Sequence, residues 1–312
     1  MGKCLDPHNP NAEYLYCAST GAAIVFSVLF GLSTACHIIQ AIIYRKKFCW
    51  IIIMAGIWET GGFVTRVLST FNQSQIVFVF PSQILILLAP LWINAFDYVL
   101  LGRMVHYFLP QQSIAGIRAR RLATLFVLLD ITALLVQGGG GSMLNNTDSK
   151  LVLLGLHIYM GGIGLQEFFI LTFVILAIRF QKKATIAGDV LARPTDWRQL
   201  LYVLYATLGL ITIRIIYRLV GFSQGIYNTL TEHEAFFYCL EAVPMFSALL
   251  LYNVWHPGRV LVGPDSEFPP KPKKKKKDGK NAKKTKKDEK LGKPEVERED
   301  TIEMRLVPVE EL

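Results

Sequence analysis

Polar side chains come in bursts along this chain, and between the bursts lie seven stretches where apolar residues dominate every face. They run approximately Ala18–Ile43, Phe48–Ser69, Ile76–Leu101, Leu122–Gly141, Leu151–Ile178, Leu200–Val220 and His233–Asn253. About 20 such residues in a helix cross the ~30 Å hydrocarbon core of a bilayer. The short alternating segments of a membrane barrel are absent, so the backbone must satisfy its own N–H and C=O groups as helix. The pattern predicts an all-α polytopic membrane protein with seven transmembrane helices.

The polar bursts predict a direction. Arg45, Lys46 and Lys47 follow the first stretch, and Arg103, Arg118, Arg120 and Arg121 follow the third. Arg179, Lys182, Lys183, Arg193 and Arg198 follow the fifth, and a Lys-rich tail follows the seventh. The alternate loops (72–75, 145–150 and 221–232) hold one basic residue, Lys150. Basic loops stay in the cytoplasm, which places the N-terminus outside and the C-terminus inside. The sequons at Asn72 and Asn145 then fall on the outer side, each close to the membrane surface. The expected division is an extracellular segment (1–17), a seven-helix domain (18–258) and a disordered Lys-rich cytoplasmic tail (259–312).

Composition agrees with the pattern. Of 312 residues, 52% are hydrophobic and 18% charged, against roughly 25% charged in soluble domains. The last 48 residues carry 15 basic and 12 acidic side chains, leaving 18 basic and 12 acidic for the first 264. Such depletion excludes a disordered chain and a coiled coil and argues against an ordinary soluble domain. The tail runs through Lys273–Lys277 to Lys287 and reads either as a solvated appendage or as a contact for anionic lipid. Seven spans upstream argue against nucleic acid as its partner. Asp6, His8 and Glu13 break any cleavable signal-peptide pattern, so the first span does the targeting. Cys36 and Cys239 read as small buried hydrophobes; Cys4 and Cys17 can pair if their end faces an oxidising compartment.

Several stretches carry a family likeness. They are Ala22–Phe26 through Ala35–Gln40, Glu59–Arg66, Leu87–Pro90, Asp97-Tyr98 and Leu101–Arg103. Further along come Asp130, Gln137–Gly141, Gly164–Phe169, Ile213-Arg214, Tyr217-Arg218, Glu232–Glu234 and Asn253–Gly258. Together they resemble the fungal RTA1-like family of seven-span membrane proteins, also called lipid-translocating exporters, over about residues 14 to 258. The Lys-rich tail is outside the likeness. The resemblance implies resistance to lipophilic toxic compounds and movement of sphingoid long-chain bases, with one branch similar to porphyrin transporters. It also favours the plasma membrane as location, with other endomembranes as the alternative.

Ionisable groups in hydrocarbon are expensive unless paired or hydrated, so they are the candidate site. Counting turns along alternating helices puts His37, Glu59, Asp97, Asp130 and Glu167 in the cytoplasmic half. Arg66, His157, Arg214, Arg218, His233, Glu234 and Glu241 fall in the outer half. Glu59, beside Gly61 and Gly62, is expected to share a cavity with Asp130 and Glu167. Carboxylates at one depth hold an ammonium group, relay a proton or bind a cation; the plainer reading is hydrogen bonding between helices. Arg214 and Arg218 share a helix face. With Arg66 they read as an ion-pair lock against Glu234 and Glu241, or as an anion site for a lipid phosphate or porphyrin propionate. Arg218 is expected to snorkel.

His37 near acids reads as a titrating group or as a satisfied hydrogen-bonder. His233 and Glu234 read as a helix cap or an entrance, and His256 as a feature of the helix end, with Trp255 as its anchor. Gly138–Gly141 permits close packing or exposes backbone to a ligand. Pro81, Pro90 and Pro244 are expected to kink or open their spans.

Translocation of lipids or amphiphiles (sphingoid-base-like, sterol-like or porphyrin-like) is the function these features favour. With no ATP-binding motif and no implied cofactor, the movement is downhill, ion-coupled or scramblase-like. The alternatives are a seven-helix receptor or lipid sensor, and an intramembrane metal-dependent lipid hydrolase built on His37, Asp97, Asp130 and Glu167.

Overall fold

The computed structural model describes residues 14, 16–71, 75–144, 146–191, 197–223, 229–263, 266 and 268. Cys4, Asn72, Asn145, Arg193 and residues 269–312 lie outside them, while the first part of the segment expected to be disordered, through Ser266 and Phe268, is folded against the bundle. Helices α1 (Thr20–Tyr44), α2 (Trp50–Phe71), α3 (Ile76–Phe108), α4 (Ala119–Met143), α5 (Ser149–Leu191) and α6 (Trp197–Ser223) form the first six spans. A single turn, α7 (Thr229–Glu232), precedes the seventh span. That span is composite: α8 (Glu234–Phe237), a π-helical turn (Tyr238–Ala242) and α9 (Val243–Val254). Seven helices are long and apolar enough to cross a bilayer, as the hydropathy pattern predicts.

Helices α3 and α5 run beyond their predicted spans, because hydropathy marks only the lipid-immersed turns while helical hydrogen bonding continues past them. Consecutive spans pack on each other, and α9 returns to α1 and closes the bundle. Helix α3 also touches α5, α6 and α9, so it is the central helix. Ile24, Val28, Leu32, Ile39 and Ile43 of α1 face outward, as do Leu128, Ile131 and Leu135 of α4. This is the inverted surface expected where the solvent is lipid.

Small residues set the closest approaches. A Cβ on Gly155 would meet the Gly140 carbonyl oxygen at 2.8 Å, and one on Gly162 would meet the Gln137 amide at 2.9 Å. Helices α4 and α5 therefore touch backbone to backbone. Of the predicted glycine run, only Gly140 makes that contact, and nothing lies within 4 Å of a Cβ on Gly138 or Gly139. Between α2 and α3, a Cβ on Gly62 would come 3.1 Å from the Ile86 amide, and Ser82 Oγ donates to the Gly62 carbonyl (3.0 Å).

The prolines behave differently from one another. Helix α3 continues through Pro81 and Pro90 instead of opening. Pro90 lacks the N–H that would reach the Ile86 carbonyl four residues back. Arg214 Nη2 takes that place, donating to the Ile86 oxygen at 3.4 Å. Pro244, by contrast, follows directly on the π-helical turn, where the Val243 amide bonds back to the Tyr238 carbonyl.

Loops close the end where α1, α3 and the seventh span finish. Ser113-Ile114 (β1) and Ile117-Arg118 (β2) form a two-stranded hairpin between α3 and α4. Its turn, Ala115-Gly116, has positive φ at both positions (46° and 78°), the twist that tight hairpins favour. After the seventh span the chain folds back: His256 stacks on Tyr44 (4.5 Å between centroids) and accepts the Gly258 amide. Ser266 then accepts from Lys46 Nζ (2.7 Å), and Phe268 lies near Arg103 and His106. Trp255 stays exposed, as an interfacial anchor would be.

Candidate functional site

The buried polar residues sort into separate knots, each tying two or three helices. Antiparallel alternation puts the start of α1, α3, α5 and the seventh span at one end of the bundle, with the finish of α2, α4 and α6. All the arginine knots lie toward this end.

The first knot surrounds Arg66, which is 2% exposed. Its Nη2 donates to Tyr16 Oη (2.6 Å) and to Glu234 Oε1 (3.2 Å), and its Nε donates to Tyr238 Oη (3.3 Å). The guanidinium carbon stands 4.2 Å from the Phe237 centroid, with Tyr14, Tyr16 and Tyr238 rings within 5.7 Å. Glu234 Oε2 accepts from the Ser19 amide (2.7 Å), and Tyr14 bonds Ser69. The segment before α1 is thereby drawn onto α2 and the seventh span. Burial raises the Tyr16 phenol above its ordinary value, with Arg66 opposing, so it remains a neutral hydroxyl. Cys17, in this segment, is disulfide-bonded.

The second knot is the charged centre. Glu241, on the π-helical turn, accepts on one oxygen from Arg214 Nη2 (2.9 Å) and Arg218 Nη1 (3.2 Å). A π turn re-aims side chains relative to an α-helix and often marks a functional position. Arg218 also donates to Tyr159 of α5. It is therefore turned inward, and the expected snorkelling is corrected: Glu241 and Tyr159 offer bonds that lipid does not. The expected lock between spans two, six and seven is split into two groups, Arg66 with Glu234 in one and Arg214 and Arg218 with Glu241 in the other.

Glu59, 1% exposed, has no hydrogen-bond partner on either oxygen among the described residues. The charges acting on it are Arg214 and Glu241, so it belongs beside this centre. Asp130 and Glu167, expected to share a cavity with Glu59, bond to separate helices. Asp130 accepts from Asn94 Nδ2 (3.1 Å) and Tyr98 Oη (2.9 Å), linking α3 to α4. Glu167 accepts from Thr212 (3.0 Å), linking α5 to α6. Asp97 accepts from Tyr252 Oη (2.5 Å) and Thr207 (3.3 Å), linking α3 to α6 and α9. Equal depth did not mean adjacency, because each acid points to whichever neighbouring helix offers a hydroxyl or amide.

The histidines are structural or peripheral. His37 Nε2 meets the Leu249 carbonyl (3.2 Å), not a carboxylate. His157 faces outward, and His233 is exposed with no side-chain cap bond. Among the described residues no three His, Cys, Asp or Glu side chains are grouped to hold a metal. The quartet considered for a hydrolase is thus dispersed. Cys36 and Cys239 are exposed on the outer surface of their helices, not buried.

A small cleft opens beside Arg214 and Arg218, with room inside for about one water molecule. Leu87, Leu91, Leu134, Ile163 and Ile215 form its walls, and Gln137 and Gln166 join the two arginines as its polar lining. Gln137 Nε2 donates to Gln166 Oε1 (3.1 Å). Among the site residues that charge-based reading missed, Tyr16, Tyr159 and Tyr238 carry only a hydroxyl, and the two glutamines no charge. The glutamines had one legible signal, their position as amides inside apolar spans.

These features define a seven-span membrane protein with a charged centre buried in its bundle. The chain belongs to the family described as RTA1 like protein, whose signature matches residues 52–263. It is 45% identical over 268 residues to the probable lipid transporter atnI of Emericella nidulans, covering 82% of this chain and 70% of that protein. It is 28% identical to protoporphyrin uptake protein 1 of Saccharomyces cerevisiae, covering 77% of this chain and 90% of that one. A sphingoid long-chain base transporter of the same species is 24% identical over 80% of this chain and 74% of its own. No solved structure matches the chain.

Proposed function

We propose that this chain translocates lipids or amphiphilic molecules across a membrane through the polar interior between α3, α4, α5, α6 and the seventh span. The observation that carries the reading is the cleft whose apolar walls lead to the buried Arg214, Arg218 and Glu241 centre. Apolar walls suit a chain, and a charged end suits a headgroup. The relatives named as transporters of lipids, sphingoid bases and porphyrin support the same class of cargo. Glu59 stands beside the centre as the group freest to exchange partners. The N-terminus is outside and the C-terminus cytoplasmic in this reading, the membrane is the plasma membrane, and the Lys-rich tail rests on anionic lipid.

The test is flux in liposomes holding the full-length protein, with a fluorescent sphingoid base and a fluorescent phospholipid. Wild type is compared with Glu59→Gln and Arg214→Ala after both variants are shown to be folded. Protein-dependent movement that falls at least about tenfold in either folded variant, some 1.4 kcal/mol of barrier, is expected. Absence of movement for both lipids, with saturable binding intact, overturns the reading for those cargoes.

A further inference from the structure

The charged centre is unequally matched. Arg214 and Arg218 both donate to Glu241 Oε1 at 2.9 and 3.2 Å, so two guanidinium groups share one carboxylate. The second bond of Arg218 goes to the Tyr159 hydroxyl, which adds no charge. Glu59 makes no hydrogen bond to either arginine. The three hydrogen-bonded members carry one positive charge in surplus, and Glu59, a further carboxylate acting on Arg214, stands beside them.

It also has donors to spare. Arg214 is 3% exposed and lines the cleft, and its Nε is buried without a partner among the described residues. Gln166 accepts from Gln137 with its oxygen, so its NH2 remains to donate at the same cleft. The Gln166 amide and the two guanidinium groups that line the cleft are the donors an oxygen anion there would engage. Guanidinium groups are suited to planar or tetrahedral oxyanions. A cationic headgroup in the same place would meet two arginines, and like charges reject it.

We infer that this cleft is a binding site for the anionic headgroup, carboxylate or phosphate, of a single-chain amphiphile whose chain lies along Leu87, Leu91 and Leu134. The inference rests on the translocation reading only in taking the cargo to be a lipid; the binding itself is independent of movement.

The experiment measures binding to the full-length protein in nanodiscs, using four ligands of one chain length: a fatty acid, a lysophosphatidic acid, a long-chain amine and a monoacylglycerol. Inorganic phosphate is the fifth ligand. The expected result is that both anionic lipids bind at least tenfold tighter than the amine and the monoacylglycerol. Arg218→Gln and, separately, Gln166→Leu reduce the anionic affinities at least fivefold and leave the monoacylglycerol unchanged. The second variant keeps the test valid if the first fails to fold. Equal or tighter binding of the amine overturns the inference. So does inorganic phosphate binding as tightly as lysophosphatidic acid, which would assign the cleft to a soluble anion. Anionic preference without flux of any lipid retains this site and overturns translocation; flux without anionic preference does the reverse.

Discussion

At the residue scale, the ionisable groups divide by what holds them. Glu241 is held by two arginines, and removing its charge strands both in a buried place. Glu241→Gln is expected to cost about 3–5 kcal/mol, read as a fall in the midpoint of thermal unfolding in detergent. The double variant Glu241→Gln with Arg214→Gln restores the balance and should recover most of that loss; failure to recover would mean the pair is not coupled. Asp97 differs, because its partners Tyr252 and Thr207 are neutral donors. Asp97→Asn keeps an acceptor and is expected to destabilise by under about 1 kcal/mol. Asp97→Ala removes the shared acceptor and leaves Tyr252 only the Thr207 hydroxyl at 3.2 Å, while Thr207 keeps the Leu204 carbonyl at 2.9 Å; a loss of about 1–3 kcal/mol is expected. Comparing the two unfolding midpoints checks it.

At the element scale, backbone contact between α4 and α5 decides the shape of the cleft wall. Gly155→Leu puts atoms where the Gly140 carbonyl and Met143 stand, with a Cβ at 2.8 and 2.6 Å. The helices must separate, and overpacking of about 1–3 kcal/mol or more is expected, seen as lost monodisperse yield in size-exclusion chromatography. Gly139→Ala meets nothing within 4 Å and should leave yield unchanged or better. The π-helical turn is the second element with a consequence. It is followed by Pro244, and it delivers Glu241 to α6. Proline spacing alone predicts a disturbance there, but not which side chain the disturbance re-aims.

At the scale of the whole molecule, orientation is the open physical quantity, and it has a direct measurement. In cells, Asp148→Cys between α4 and α5 is expected to react with an impermeant maleimide added outside. Gln111→Cys, between α3 and α4, should react only after permeabilisation. The reverse result overturns the assigned direction. Both sites are exposed and lie between spans, so neither substitution disturbs the bundle.

Sequence alone determined the number of spans, their approximate limits and the residues worth inspecting, because lipid demands apolar helices and makes every ionisable exception conspicuous. It put Arg214 and Arg218 on one helix face, one turn apart, and left a lock against Glu234 and Glu241 and an anion site as the two readings. Tertiary structure decided which polar group meets which. Depth along a helix follows from counting residues, but azimuth depends on how seven helices rotate against one another. That is why Asp130 and Glu167 bond to different helices, and why Arg218 turns inward. The cleft needed four helices at once: Arg214 and Arg218 from α6, Gln137 from α4, Gln166 from α5 and the leucine wall of α3. No local pattern encodes that convergence, because packing between distant segments creates it.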